Sequence, residues 1–323
     1  MTVRAAGSRL PDPIARRLRI PLVAAPMLRV SGPALVTAAC RAGVVGAFPT
    51  QNPGLLSDPA GLDGWLEQMM SSLDRETHAP VCPNLIMRTE DIQRHVEAVV
   101  RHGVEMVITS VGSPKPILPA LHDAGIFVFA DVATLEHARK AIDAGVDGLV
   151  LLSAGAGGQT GWLNPFAYVR AVRTFFDGPI VLAGGIIDGA ALFAAESLGC
   201  DLGYMGTRMI AAHESLASPS YRSALLEASM DDIVLTKAFN GLAGSYVRQT
   251  IVRAGLDPDN LDESVSAARA QEQFGPRSAG PKRWTDINSA GHSVSGVTRL
   301  QSVSEIVDET AAEYAAARSL VRS

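Results

Sequence analysis

Two glycine-bearing turns late in the chain have residue types that suit an anion. They are Ala183-Gly184-Gly185-Ile186 and Met205-Gly206-Thr207-Arg208. Glycine lets backbone N–H groups approach an anion's oxygens, and a helix N-terminus adds positive potential. The Thr207 hydroxyl can donate as well. Each turn alone could be a tight turn and nothing more; as a pair, on neighbouring strand ends, they read as a phosphate site. Arg208 could pair with the phosphate or with a carboxylate of the protein. A third run, Ser153-Ala154-Gly155-Ala156-Gly157-Gly158-Gln159-Thr160-Gly161-Trp162, is richer in glycine still. Ordering so many glycines costs entropy, so the run implies a backbone, at Gly157 and Gly158, lying close against a ligand, with the Gln159 amide aimed at it. A disordered surface loop is the alternative.

Three further positions fit a flat polar ring. Ala25-Pro26-Met27 offers apolar surface beneath such a ring and backbone groups for its edge. Asn84, in Cys82-Pro83-Asn84-Leu85, can donate and accept at once. Asp131 could exchange a proton or cap a helix.

These residues need a scaffold that brings distant strand ends together. Apolar runs without alternation recur at Pro21–Ala25, Val44–Phe48, Val81–Ile86, Met106–Thr109, Phe127–Ala130, Leu149–Leu152, Ile180–Ala183 and Leu202–Met205. Such runs mark parallel strands buried on both faces. Between them lie amphipathic segments that end in glycine, as at Gly103, Gly125, Gly145 and Gly199, where a left-handed residue closes a helix. Eight βα units predict an α/β fold, a (β/α)₈ TIM barrel. An open doubly wound sheet is the rival, disfavoured because no GxGxxG turn follows the first strand. In such a barrel the chemistry sits at the C-terminal strand ends, with phosphate after strands seven and eight. The glycine turns fall there.

The barrel is expected over residues 1–228. Residues 229–323 form a C-terminal extension packing over it as part of the same domain. Within the extension, the polar stretch Phe274–Ser295 reads as an ordered excursion because it carries Trp284 and Ile287. A helix is expected from Ser304 to about Arg322.

Composition narrows the function. The chain has 323 residues, of which 47% are hydrophobic and 19% charged, with a formal net charge of −5. It has no long basic run, which argues against nucleic acid, and no apolar run of the ~20 residues that a membrane span needs. A soluble cytoplasmic protein is expected. Its 3 cysteines, Cys40, Cys82 and Cys200, form no CxxC pair, and its 7 histidines include no HExxH or HxH. Neither a disulfide framework nor a protein-bound metal is expected.

The motifs taken in order resemble the nitronate monooxygenase family, formerly 2-nitropropane dioxygenases, and the related FMN-dependent enoyl-acyl-carrier-protein reductases. The likeness runs from Ala25-Pro26-Met27 and Asn84 through Gly157-Gly158-Gln159-Thr160-Gly161, Ala183 to Gly189, and Met205 to Arg208. It continues through Glu214-Ser215, Leu235 to Gly241, and Ser289-Ala290-Gly291-His292. It implies an FMN oxidoreductase that uses molecular oxygen or a nicotinamide donor, NAD(P)H. The resemblance also exposes three departures. The family usually has His, its candidate for proton transfer, where this chain has Gln159, and often Glu where it has Gly155. The late Ala-Gly-Gln of the family here ends in His292. An amide cannot exchange a proton near neutral pH, so Gln159 and His292 are the catalytic candidates, as if a polar pair had been swapped between loops. Nitronates, already anions, need no base. A reductase acting on an enoyl thioester or quinone would need a proton donor, with Asp131, Lys237, Tyr246 and His292 as candidates. A catalytically silent flavin-binding barrel is the third reading.

Overall fold

In the computed structural model, which describes residues 8–320, eight parallel strands close a barrel. Its strands are β1 (Leu22–Ala24), β2 (Val45–Pro49), β3 (Val81–Ile86), β4 (Met106–Ser110), β5 (Phe127–Val132), β6 (Gly148–Leu152), β8 (Ile180–Ala183) and β9 (Leu202–Met205), and β9 pairs back onto β1. The intervening β7 (Gly158–Gln159) lies outside the barrel. It joins β10 (Ile233–Thr236) and β11 (Gly244–Val247) in a small antiparallel sheet. The expected eight strands are therefore present, three with the expected bounds and five with one or both ends shifted by one or two residues.

Strand parity sorts the barrel residues. Val23, Val45, Ala47, Cys82, Met106, Ile108, Phe129, Val150, Val181 and Leu202 fill the interior. Their neighbours on the opposite face, such as Leu22, Leu85, Val107, Leu149 and Leu182, pack under the outer helices. Both faces are buried, which is why the runs read as continuously apolar. Leu10, Ile14 and Leu18 of the N-terminal segment close the bottom, where buried Arg17 pairs with Glu105 at 2.6 Å. Helix closure follows the glycine expectation: Gly145 and Gly199 are left-handed caps at φ 100° and 106°.

Beyond the helix Pro219–Glu227 the chain builds a roof. Phe239, Tyr246, Ile251 and Ile287 form a separate buried cluster there, so the polar stretch is ordered around Ile287, as expected. The last helix, Val303–Leu320, lies on the barrel flank. Tyr314 packs edge-on to Phe193, and a Cβ on Gly189 would meet the Tyr314 nitrogen at 2.1 Å. Its expected end at Arg322 is outside the described residues. No helix among the described residues is long and apolar enough to cross a membrane.

Candidate active site

A cavity of about 670 Å³ opens at the C-terminal strand ends, between barrel and roof. On one side lies the glycine pair. Gly184 and Gly185 have φ of 120° and 78°, a region glycine enters without strain. A Cβ on Gly184 would strike Ser153 Oγ at 2.4 Å, whereas one on Gly185 would meet nothing within 4 Å. Gly185 therefore faces open cavity. Gly206 precedes the short helix Thr207–Ile210, whose first N–H groups have no intrahelical acceptor. Thr207 Oγ1 accepts the Gly291 N–H at 3.0 Å, which latches the roof onto the same turn. Arg208 resolves toward structure: it is ion-paired with Glu309 of the last helix and does not line the cavity. A phosphate fits this cradle, formed by Gly184, Gly185, Gly206 and Thr207.

Ala183, Ala25, Pro26 and Met27 line the cavity next to the cradle. A buried clamp holds the turn after β1. Ser31 Oγ accepts the Met27 N–H at 3.0 Å, and Asn52 Nδ2 donates to the carbonyls of Met27 and Ser31 at 3.0 and 2.8 Å. The backbone of Met27 is thus spoken for, and its side chain is what it offers a ring. Met205, expected to touch the cofactor, does not line the cavity. It is fully buried against the outer helices, because parity along β9 turns Tyr204 inward and Met205 outward.

Asn84 and Asp131 sit on the cavity floor within strands, not after them. Asn84 lies inside β3, where its Oδ1 accepts from Ser110 at 3.2 Å. β5 continues through Asp131 to Val132, and Thr134 is the residue that caps the next helix. Asp131 therefore has no capping role. Its Oδ1 is buried without a partner, and desolvation raises the carboxyl from its ordinary value to about 7. Its neighbours Cys82 and Tyr204 are pushed well above their usual ranges by burial, so both are neutral.

Gln159 lines the cavity from β7, paired through its backbone with Gly244. The glycines around it divide. Gly155, Gly157 and Gly158 line the cavity, but a Cβ on Gly155 would lie 2.9 Å from His292 Nδ1, one on Gly157 2.7 Å from the Gly291 nitrogen, and one on Gly161 2.3 Å from the Leu152 carbonyl. These three are small because the loop is wedged between the Ala290–His292 segment and strand β6. Gly158, with φ of 65°, is the one whose Cβ would find open space.

The roof adds Tyr246, Arg283, Trp284 and Ala290 to the wall, and Arg88 stands beyond β3. Burial raises Tyr246 to about 12, so it stays protonated. Arg283 donates to the Phe239 carbonyl at 2.9 Å and lies over the Trp284 ring at 4.6 Å. Two expected proton carriers are not brought to the cavity. His292 is exposed, with its backbone N–H donating to the Gly155 carbonyl at 3.0 Å, and Lys237 is exposed on the roof. Sequence reasoning missed Arg88, Tyr204, Arg283, Trp284 and Val111. For Tyr204, strand parity was a usable signal. For Val111, the signal was a β-branched residue before Gly112: its φ of 55° is strained. No group of three or more His, Cys, Asp or Glu able to hold a metal occurs among the described residues.

Glycine turns and a cavity at the mouth of a (β/α)₈ barrel are the usual place of an enzyme's phosphate-bearing ligand, and the family match below makes this barrel an oxidoreductase. The particular family follows from comparison. The family model described as nitronate monooxygenase matches residues 15–313, and the chain belongs to that family. Among relatives, a nitronate monooxygenase of Paraburkholderia phytofirmans is 26% identical over 307 residues, covering 79% of this chain and 84% of the relative. A (3aS,4S,5R,7aS)-5-hydroxy-7a-methyl-1-oxo-octahydro-1H-indene-4-carboxyl-CoA dehydrogenase of Rhodococcus jostii is 25% identical over 254 residues, covering 79% of this chain and 70% of the relative. Two solved structures share the fold. FabK from Thermotoga maritima has a TM-score of 0.77 at 22% identity, covering 98% of this chain and 99% of its own. A nitroalkane oxidase from Streptomyces ansochromogenes has a TM-score of 0.75 at 22% identity, covering 96% and 100%.

Proposed function

We propose that the protein holds FMN and oxidises alkyl nitronates, with molecular oxygen as the final acceptor. Bound flavin supplies the two-electron chemistry; the chain supplies binding and charge. The observation that carries this reading is the set of ionisable groups lining the cavity. Among the described residues Arg88 and Arg283 are its cations and Asp131 is its one acid, desolvated at the floor. Neither arginine has a carboxylate within ion-pair distance among the described residues. Such a cavity favours an anion, and a nitronate arrives as one. Gln159 can donate a hydrogen bond to a nitro oxygen without exchanging a proton. FMN in place of a dinucleotide is supported by a single phosphate cradle without a GxGxxG fingerprint.

A second reading is a reductase that takes electrons from NAD(P)H and passes them to an enoyl thioester or quinone. It is favoured by Tyr246, which holds its proton at neutral pH, and by Asp131, which burial raises into the neutral range; both face the cavity. The test is anaerobic mixing of the flavin-loaded protein with a nitronate, NADH and NADPH in parallel. Bleaching of the flavin by the nitronate alone is the expected result. Bleaching by a nicotinamide alone would replace the first reading with the second.

A further inference from the structure

Among the described residues Asp131 is the one carboxyl in the cavity wall, and its setting is unusual for an acid. Its Oδ1 is buried and accepts no hydrogen bond. The groups facing it across the barrel, Cys82 of β3 and Tyr204 of β9, are neutral, and Asn84 of β3 is an amide. Among the described residues no cation stabilises it: of the cavity's two arginines, Arg283 bonds Phe239 and Gln271, Arg88 stands beyond the end of β3, and burial is the sole cause of the raised Asp131 pKa. A carboxyl in this position is finely balanced, because a second negative charge brought into the same low-dielectric space disfavours the carboxylate further.

We propose that Asp131 takes up one proton from solvent when two electrons enter the cavity's cofactor, and returns it when they leave. This rests on the reading of the cavity as a flavin site. The electrons come from the oxidised substrate, here the nitronate. The proton comes from water and converts the Asp131 carboxylate to the acid; no bond between Asp131 and the cofactor is made or broken. The gain is that negative charge introduced by reduction is offset inside the cavity. Gln159, in the position where the resemblance expects a proton-carrying His, cannot do this. Asp131 faces the same cavity and can.

The inference is tested by potentiometry of the flavin-loaded protein, with dithionite as reductant, in the parent and in Asp131→Asn. Burial raises Asp131 to about 7 in the cofactor-free fold, and negative charge added by reduction raises it further, so at low pH it is protonated before and after reduction. There the two proteins should run parallel. Above about pH 7 reduction carries an extra proton in the parent. Each tenfold fall in proton concentration then shifts the equilibrium tenfold further against reduction, about 30 mV per pH unit for a two-electron couple. Asp131→Asn should lack this added slope. Because the substitution could disturb flavin loading, the parent is also examined alone by infrared difference spectroscopy at pH 8. Reduction should produce a protonated-carboxyl band there. Parallel slopes throughout, or no carboxyl band in the parent, would overturn the inference while leaving the flavin site intact. Failure of the parent to bind flavin would overturn the site reading itself.

Discussion

The two groups of glycines at the barrel mouth look alike in sequence and differ in what stands opposite them. Gly185 faces open cavity, and Gly206 has only Ala25 Cβ and Met27 Sδ within 3.5–3.6 Å of a built Cβ. Gly155, Gly157 and Gly161 face protein: His292, the Gly291 nitrogen and the Leu152 carbonyl. The first group borders open cavity; most of the second makes room for the roof. A run of glycines therefore reports a close approach, and only the opposing surface says whether a ligand or another part of the chain is approaching.

That contrast is broken most severely at Gly161. Gly161→Val puts a branched side chain against two backbone carbonyls, of Leu152 and Ala133, which cannot swing aside. Overpacking of this kind costs about 1–3 kcal/mol or more, so thermal unfolding should move down by several degrees, whether or not flavin is present. An unchanged Tm would mean that the loop is not wedged as described.

The next effect concerns chemistry at the tip of the same loop. Gln159→His should raise turnover of neutral nitroalkanes by about 10²–10⁴-fold, the usual contribution of a positioned base, with little change for pre-formed nitronates. The check is a pair of steady-state assays on a nitroalkane and its nitronate. Equal gains on both substrates would show that the imidazole acts by binding and not by moving a proton.

A pH-dependent effect comes from the floor. The Asp131 carboxyl is raised in the fold, to about 7 from 3.8, so the folded protein holds this proton longer than the unfolded chain does. Its contribution to stability is therefore present below pH ~4 and is lost as pH rises to about 7, with each pH unit across that window removing roughly 1.4 kcal/mol. Denaturant titrations of flavin-free parent and Asp131→Asn should agree near pH 4, and the variant should be the more stable at pH 8. The reverse order would show that Asp131 has a stabilising partner in its carboxylate form.

The smallest effects should be at His292 and Lys237. Both side chains are exposed and neither lines the cavity, so His292→Ala and Lys237→Ala should each change stability by less than about 0.5 kcal/mol and leave nitronate turnover unchanged. A loss of neutral-nitroalkane turnover in His292→Ala would place that imidazole in the reaction after all.

Much of this was legible in the sequence, for identifiable reasons. Barrel strands are apolar on both faces, so Val81–Ile86, Ile180–Ala183 and Leu202–Met205 could be bounded to the residue. The two glycine turns at the cavity mouth were legible because they depend on local sequence at known strand ends. What remained hidden depends on distant partners. β7 is two residues long and exists because β11, more than eighty residues later, pairs with it. Asp131 resembles a helix cap in sequence because nothing local says that β5 runs on to Val132. Arg283 and Trp284 reach the cavity through a roof whose core, around Phe239, Tyr246 and Ile287, is assembled from separate segments. Met205 was misplaced for a simpler reason: the alternation that points Tyr204 inward was there to be counted.

The glycine contrast makes one claim central: the open group, not the wedged one, holds the phosphate of FMN. The direct measurement is the flavin released by heat from purified parent and from Gly185→Val, identified by chromatography, with circular dichroism confirming that both are folded. The expected result is FMN from the parent and loss of at least nine-tenths of it in the variant, since a branched side chain would project into the cradle while the strained backbone costs only about 1–3 kcal/mol. FAD from the parent, or undiminished FMN in a folded Gly185→Val, would contradict it.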